Sequence, residues 1–221
     1  MNKIKGVIFD LDGVLCSTDT YHFIAWKNLA KRLGLRIDES LKDKVRGISR
    51  MASLDIVLGE KSSSFTVEEK QKLADEKNTD YRRMLSNMNL ADRSEGAFEV
   101  ISFLKKKGIK IAVGSASCNA PLILNKIGLR QQFDVVVDGS MISHSKPHPE
   151  VFQKAADFLH LSPGQCLVIE DAYMGIEAAA RGGFVPVAIG TDASKHEKAV
   201  FKIKNLLEIE NIIPLDIKFR F

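Results

Sequence analysis

Two kinds of apolar pattern share this chain. Five short runs are continuously apolar, at residues 6–11, 109–115, 133–138, 166–170 and 185–189. Continuous rather than alternating apolar character predicts strands buried on both faces, as in a parallel sheet covered by helices. Between the later runs, apolar residues recur at helical spacing. Residues 95–107 place Phe98, Ile101, Phe103 and Leu104 on a predicted core face, with Gly108 as a stop. Residues 119–127 end at Gly128, and residues 150–159 carry Val151, Phe152, Ala155, Ala156 and Leu159. Residues 172–181 are alanine-rich and end at Gly182-Gly183. Strand and helix in alternation predict a doubly wound, Rossmann-like α/β core with a parallel sheet.

The first strand breaks that rhythm. About eighty residues separate it from Glu95, far more than an ordinary crossover needs. The intervening segment has helical signals of its own. Residues 21–33 put Phe23, Trp26, Leu29, Ala30 and Leu33 on one stripe, and residues 50–58 offer Leu54, Val57 and Leu58. Thr66-Val67-Glu68-Glu69 reads as a capping box opening a helix to about Met88, with Leu73, Tyr81, Met84 and Leu85 as its core face. The predicted architecture is therefore an α/β core from residues 1–16 and 91–221, with an inserted α-helical cap at 17–90. The segment from Lys202 to the end is ambiguous.

Composition narrows the function classes. The chain has 221 residues, 45% of them hydrophobic, enough for one sizeable core or a core with a small accessory domain. A net charge of +4 without a basic stripe makes no case for nucleic acid and suits anionic small substrates. Cys16, Cys118 and Cys166 are odd in number and widely spaced, so neither a disulfide framework nor a zinc site is indicated. No signal peptide and no run near the ~18 apolar residues of a membrane span is present, so a cytoplasmic protein without a membrane partner is expected.

Candidate chemistry lies at the strand ends, where open α/β sheets bind their ligands. The first strand runs into Asp10-Leu11-Asp12-Gly13. Residues i and i+2 of a strand point the same way, so the two acids could share Mg²⁺ or divide the work of nucleophile and proton donor. The second strand delivers Ser115-Ala116-Ser117, the segment after the third delivers Lys146-Pro147, and the fourth delivers Glu170-Asp171. Singly, each is ordinary: a serine-rich turn is most often a helix cap. Together they can transfer a phosphoryl group. Asp10 would attack phosphorus and become an aspartyl phosphate. Mg²⁺ would bridge the nucleophile and a phosphate oxygen, with Asp171 completing its shell. Ser115 would hold other phosphate oxygens, and Lys146 would neutralise charge on the group. Asp12 would serve as general acid and base.

These motifs, in this order, resemble the haloacid dehalogenase-like superfamily, and the resemblance covers the whole chain, insert included. The second acid, Asp12, marks its phosphatases and mutases rather than its dehalogenases. Tyr21-His22-Phe23 with Trp26-Lys27, Arg46-Gly47-Ile48-Ser49-Arg50, Glu76-Lys77-Asn78, and Ser115-Ala116-Ser117 with Asn119 resemble the β-phosphoglucomutase family. That resemblance implies interconversion of β-glucose 1-phosphate and glucose 6-phosphate through a bound bisphosphate. It implies that Arg50, Ser117 and Asn119 hold the distal phosphate, that His22 orients Asp12, and that Lys77 lies at the sugar. Thr18 would sit at the cap hinge, with Trp26 and Ala116 among the substrate-side residues. Asp12 would add a backbone carbonyl to the Mg²⁺ shell of Asp10, Glu170 and Asp171. The implied partner is a small phosphosugar, bound by a monomer. Ser17 and Cys118 depart from the pattern, standing where Asp and a phosphate-side Lys are common. A sugar-phosphate phosphatase on the same core is the first alternative, and a non-catalytic phosphosugar-binding protein is the second.

Overall fold

The computed structural model describes residues 3–45 and 48–213. Six strands form one parallel sheet: β1 (Gly6–Phe9), β2 (Lys110–Gly114), β3 (Val135–Val137), β4 (Cys166–Glu170), β5 (Val185–Ile189) and β6 (Phe201–Ile203), in the order β3-β2-β1-β4-β5-β6. Every strand pairing is parallel. The chain winds outward from β1 to β3, then returns and winds the other way from β4. The switch point lies between β1 and β4, where such sheets leave a crevice beyond their carboxyl ends. Register sets Phe9 opposite Ile169, so the residues that follow, Asp10 and Glu170, emerge side by side.

Before the sheet resumes at β2, the chain forms α1 (Asp19–Arg32), α2 (Leu41–Lys44), α3 (Arg50–Leu58) and α4 (Val67–Leu85). The expected capping box is present, with Thr66 Oγ1 accepting from Glu69 N at 3.2 Å and Glu69 Oε2 accepting from Thr66 N at 2.8 Å. Phe23, Trp26, Leu29, Leu54, Val57, Leu58 and Ala74 make an apolar cluster separate from those of the sheet. The two ends of this segment are fastened together. Cys16 bridges Arg93, and Ser94 N donates to Leu15 O at 2.9 Å.

α5 (Ala97–Lys106), α6 (Ala120–Lys126), α7 (Glu150–Leu159) and α8 (Tyr173–Arg181) connect the strands, and α9 (Ile209–Ile212) closes the described part of the chain. They cover both faces of the sheet, with Phe9, Val113, Ile101 and Leu104 on one side and Ile8, Val168, Phe152 and Ala155 on the other. No described helix is long and apolar enough to cross a membrane.

The structure corrects several expectations. β1 ends at Phe9, so Asp10 and Asp12 stand beyond the strand and their shared direction is not strand alternation. The backbone N–H groups of Val14, Leu15 and Cys16 all point to Leu11 O, forming a turn in which Gly13 takes φ 81°. Only glycine adopts that conformation without strain. Phe98 is 40% exposed. α5 buries Ala97, Val100, Ile101 and Leu104, and Phe98 lies off that stripe with Arg93 5.1 Å from its ring centre. α4 fully buries Ala74 and Lys77 where Leu73 and Met84 were expected, and both of these pack only partly buried. The ambiguous terminal segment supplies β6 and α9. Its residues 214–221, like Arg46 and Gly47, lie outside the described residues.

Candidate active site

One cavity of about 270 Å³ opens at the switch point. Its walls include Asp10, Asp12, Ser115, Lys146 and Asp171 from the sheet side, and His22, Trp26, Arg50, Lys77 and Asn78 from the helical insert. Nearly every residue singled out in the sequence is therefore on one surface. Thr18 and Glu170 stand just behind it, through their contacts with Asp12 and Lys146.

At the floor, Lys146 Nζ donates to Asp10 Oδ1 at 2.6 Å and makes a very short contact with Glu170 Oε1. All three are buried. Glu170 Oε2 accepts from Ala172 N at 3.0 Å, so both of its oxygens are engaged. Two carboxylates thus share one ammonium. Burial, opposed by Lys146 but reinforced by Glu170 and Asp12, pushes the Asp10 carboxyl up to about 7. Lys146 is itself held above its ordinary value, since the attraction of Asp10 and Glu170 outweighs its burial. The crowding depends on Gly175, inside α8: a Cβ there would lie 2.0 Å from the Glu170 carboxyl. Oxygens of Asp10, Glu170 and Asp171 come within 4.8 Å of one another. Three buried carboxylates with hard oxygen donors suit a small divalent cation.

Asp12, two residues on, accepts a very short hydrogen bond from Thr18 Oγ1. Burial raises its carboxyl to about 6 against that hydrogen bond, which puts proton exchange within reach at neutral pH. His22 was expected to orient Asp12. Here its Nδ1 lies 2.8 Å from Lys77 Nζ, and its ring stacks 4.0 Å from that of Tyr81. Burial, with Lys77 and Arg50 nearby, drives the imidazole well below its ordinary value. That shift favours the neutral ring, whose Nδ1 can then accept from the lysine.

Lys77 is 1% exposed. Its ammonium lies 4.6 Å from the Trp26 ring centre and 4.7 Å from that of Tyr81. Burial lowers it to about 7, Arg50 adds to the lowering, and Asp12 opposes it. Arg50 opens α3 behind the Ser49 cap and reaches Asp75 at 3.6 Å.

The turn after β2 is held by its own side chains. Ser115 Oγ accepts from Ser117 N at 3.1 Å, and Ser117 Oγ accepts from Asn119 N at 3.2 Å. Asn119 then crosses to the insert, donating to Asn78 Oδ1 at 2.9 Å and accepting from Arg82 Nη1 at 3.4 Å. Ala116 and Cys118 line the cavity, Cys118 being exposed. A Cβ on Gly139 would fall 2.2 Å from Ala116 O. Arg82, Gly139 and Gly175 were not anticipated. A glycine inside an alanine-rich helix was a usable signal for Gly175; nothing in the sequence marked Arg82.

A doubly wound sheet with buried acids and a lysine at its switch point defines a class, and sequence comparison agrees. The chain belongs to the haloacid dehalogenase-like hydrolase family, whose model matches residues 4–183. It is 39% identical to a β-phosphoglucomutase of Bacillus subtilis, covering 85% of this chain and 84% of that protein. It is 30% identical to a phosphorylated carbohydrates phosphatase of Thermotoga maritima, covering 81% and 82%. A crystal structure of β-phosphoglucomutase from Clostridium difficile superposes with a TM-score of 0.90 at 38% identity, covering 95% of each chain.

Proposed function

We propose that this chain is a mutase that interconverts β-D-glucose 1-phosphate and D-glucose 6-phosphate through an aspartyl phosphate and a bound bisphosphate. The observation that carries the reading is the shared cavity: buried acids and Lys146 at its floor, Arg50 and Lys77 in its roof. A mutase must hold two phosphates at once, so it needs cationic groups at both ends. In this reading Asp10 is the nucleophile, and Lys146 neutralises the transferring group. Asp12 protonates and deprotonates the sugar oxygen, with Thr18 fixing its carboxyl. Ser115 holds the phosphate under attack. Arg50, Ser117 and Asn119 hold the other phosphate, and Ala116 lies against it. Lys77, kept in place by His22 and Trp26, meets the sugar.

Mg²⁺ is the cofactor of this reading, held by Asp10, Glu170, Asp171 and the Asp12 carbonyl. When bound, it supplies positive charge against the phosphoryl oxygens. The domains are a core of residues 1–16 and 91–221 and a cap of residues 17–90. The separate apolar cluster of the insert and its fastened ends support that division. The protein works as a cytoplasmic monomer on a small phosphosugar, without a nucleic-acid or membrane partner.

A coupled assay tests the reading. β-glucose 1-phosphate, Mg²⁺ and a trace of the bisphosphate are supplied, and glucose 6-phosphate and inorganic phosphate are followed separately. Glucose 6-phosphate without stoichiometric phosphate is expected. Phosphate alone would overturn the mutase and identify a phosphatase.

A further inference from the structure

Beyond the cavity, the loop between β3 and α7 gathers a second set of metal-type donors. His144 and His148 are exposed and Glu150 half-buried, with one ligand atom from each within 4.8 Å of the others. None of the three lines the cavity.

The loop is built to hold them together. Glu150, the first residue of α7, turns its carboxylate back to accept from Ser143 N at 3.1 Å and His144 N at 2.8 Å. His148 N donates to Ser145 O at 3.0 Å, closing a tight turn. Pro147 and Pro149 remove backbone freedom on either side. The two imidazoles consequently stack with centres 4.7 Å apart and planes 35° from parallel. His144 Nδ1 lies 3.2 Å from Glu150 Oε2, while His148 Nδ1 accepts from Glu150 N at 3.3 Å, a weak bond that an ion bound to that lone pair would replace.

Two imidazole nitrogens and a carboxylate oxygen are the donors of open zinc sites, whereas Mg²⁺ and Ca²⁺ prefer oxygen throughout. Zinc–donor bonds of about 2.0–2.2 Å place tetrahedral donors roughly 3.4 Å apart. Closing to that spacing needs only side-chain rotation, open to a His144 side chain that is 67% exposed. Glu150 also accepts from Lys154 at 2.9 Å, and that side chain, 39% exposed, can turn to water. Lys154 and the backbone N–H groups hold the Glu150 carboxyl at about 2, so it stays anionic.

We propose that His144, His148 and Glu150 form a site for a divalent transition ion of the zinc class, separate from the buried acids and strapping the loop across Lys146. The inference does not depend on the proposed reaction.

The test uses the full chain saturated with Mg²⁺ and titrated with Zn²⁺, read by calorimetry and by NMR of the histidine rings. Micromolar Zn²⁺ is expected to shift the His144 and His148 signals together among the five histidines. H144Q and H148Q should each weaken binding about tenfold or more while leaving Mg²⁺-dependent turnover at the wild-type level. The proposal is overturned if those two signals stay in place up to millimolar Zn²⁺. It is equally overturned if the variants bind as tightly as wild type, or lose turnover.

Discussion

Replacing Lys77 by methionine should make the protein more stable and less active. The lysine is 1% exposed, and its ammonium is lowered from 10.5 in the unfolded chain to about 7 in the fold. A shift of that size corresponds to roughly 5 kcal/mol, taken as an upper limit, that the folded state forgoes when the lysine is charged. The sign follows from proton counting. Between about pH 7 and 10.5 the unfolded chain binds the proton and the folded one does not, so stability rises with pH across that window. Below it both states are protonated and the whole penalty stands. Methionine keeps an unbranched apolar stem against Trp26 and Tyr81. It gives up the two ring contacts, together about 1–2 kcal/mol, and the bond to His22, about 1 kcal/mol. The variant should therefore gain about 1–3 kcal/mol at neutral pH, and the gain should shrink toward pH 9.5. Urea unfolding at both pH values, followed by far-UV circular dichroism and by the single tryptophan, Trp26, measures it. Turnover should fall by about a hundredfold if the ammonium meets the substrate. A variant less stable than wild type at pH 7, or a gap that ignores pH, refutes the reasoning.

Asp10→Asn should keep its fold and lose about 10³-fold or more in turnover, with no phosphoprotein by mass spectrometry; substantial residual activity sinks the nucleophile. Lys146→Met strands two buried carboxylates and should lose about 3–5 kcal/mol at pH 7.5. The Asp10 carboxyl, already raised to about 7, loses the cation that lowers it, so the deficit should shrink as pH falls through 7, and a deficit that is constant in urea titrations counts against the pairing. Gly175→Ala puts a Cβ 2.0 Å from the Glu170 carboxyl and should destabilise by about 1–3 kcal/mol, despite alanine's better helix propensity. A more stable variant in thermal unfolding would show that the glutamate moves aside freely. Arg50→Ala should reduce glucose 6-phosphate formation about tenfold more than hydrolysis of a small phosphoester, and equal losses remove it from the distal phosphate.

What was legible in the sequence was whatever burial writes as hydrophobicity. The strands at 166–170 and 185–189 and the helix at 150–159 match the structure to the residue, because uninterrupted apolar runs and a clear stripe leave one arrangement. The same signal failed on α4, where the buried face includes a lysine. A charged residue inside a core reads as surface, and pattern alone shifts the stripe to Leu73 and Met84. Phe98 failed for the opposite reason: its apolar ring stays at the surface, with the Arg93 guanidinium over it. Asp10 and Asp12 were found by type and spacing, yet the geometry that unites them is a turn around Leu11 O with Gly13 at positive φ. The strand ends were thus predictable and the manner of meeting was not, since it depends on which backbone amides remain unpaired where β1 stops.

The seam between insert and core bears on whether the phosphoryl acceptor is sugar or water. Apolar contact across it runs along α1 and α4, where Tyr21, Ala25, Tyr81, Met84 and Leu85 join the core cluster of the sheet. At the turn after β2 the seam is polar: Asn119 to Asn78 and to Arg82, and, farther along, Lys126 to Ser86 O at 2.7 Å. Such bonds, one neutral and two with a charged donor, exchange for water at a net cost of about 1–3 kcal/mol each, whereas parting an apolar face costs in proportion to its area. The seam is therefore weaker at the turn after β2 than along α1 and α4. An insert so attached can admit a phosphosugar by trading a few polar bonds for water while remaining anchored. When it returns, Lys77, Trp26 and His22 stand over Asp10 and Asp12, and a sugar hydroxyl there has no competing solvent. On the proposed reading, weakening the polar bonds should leave the chemistry of Asp10 intact and divert the phosphoryl group from sugar to water.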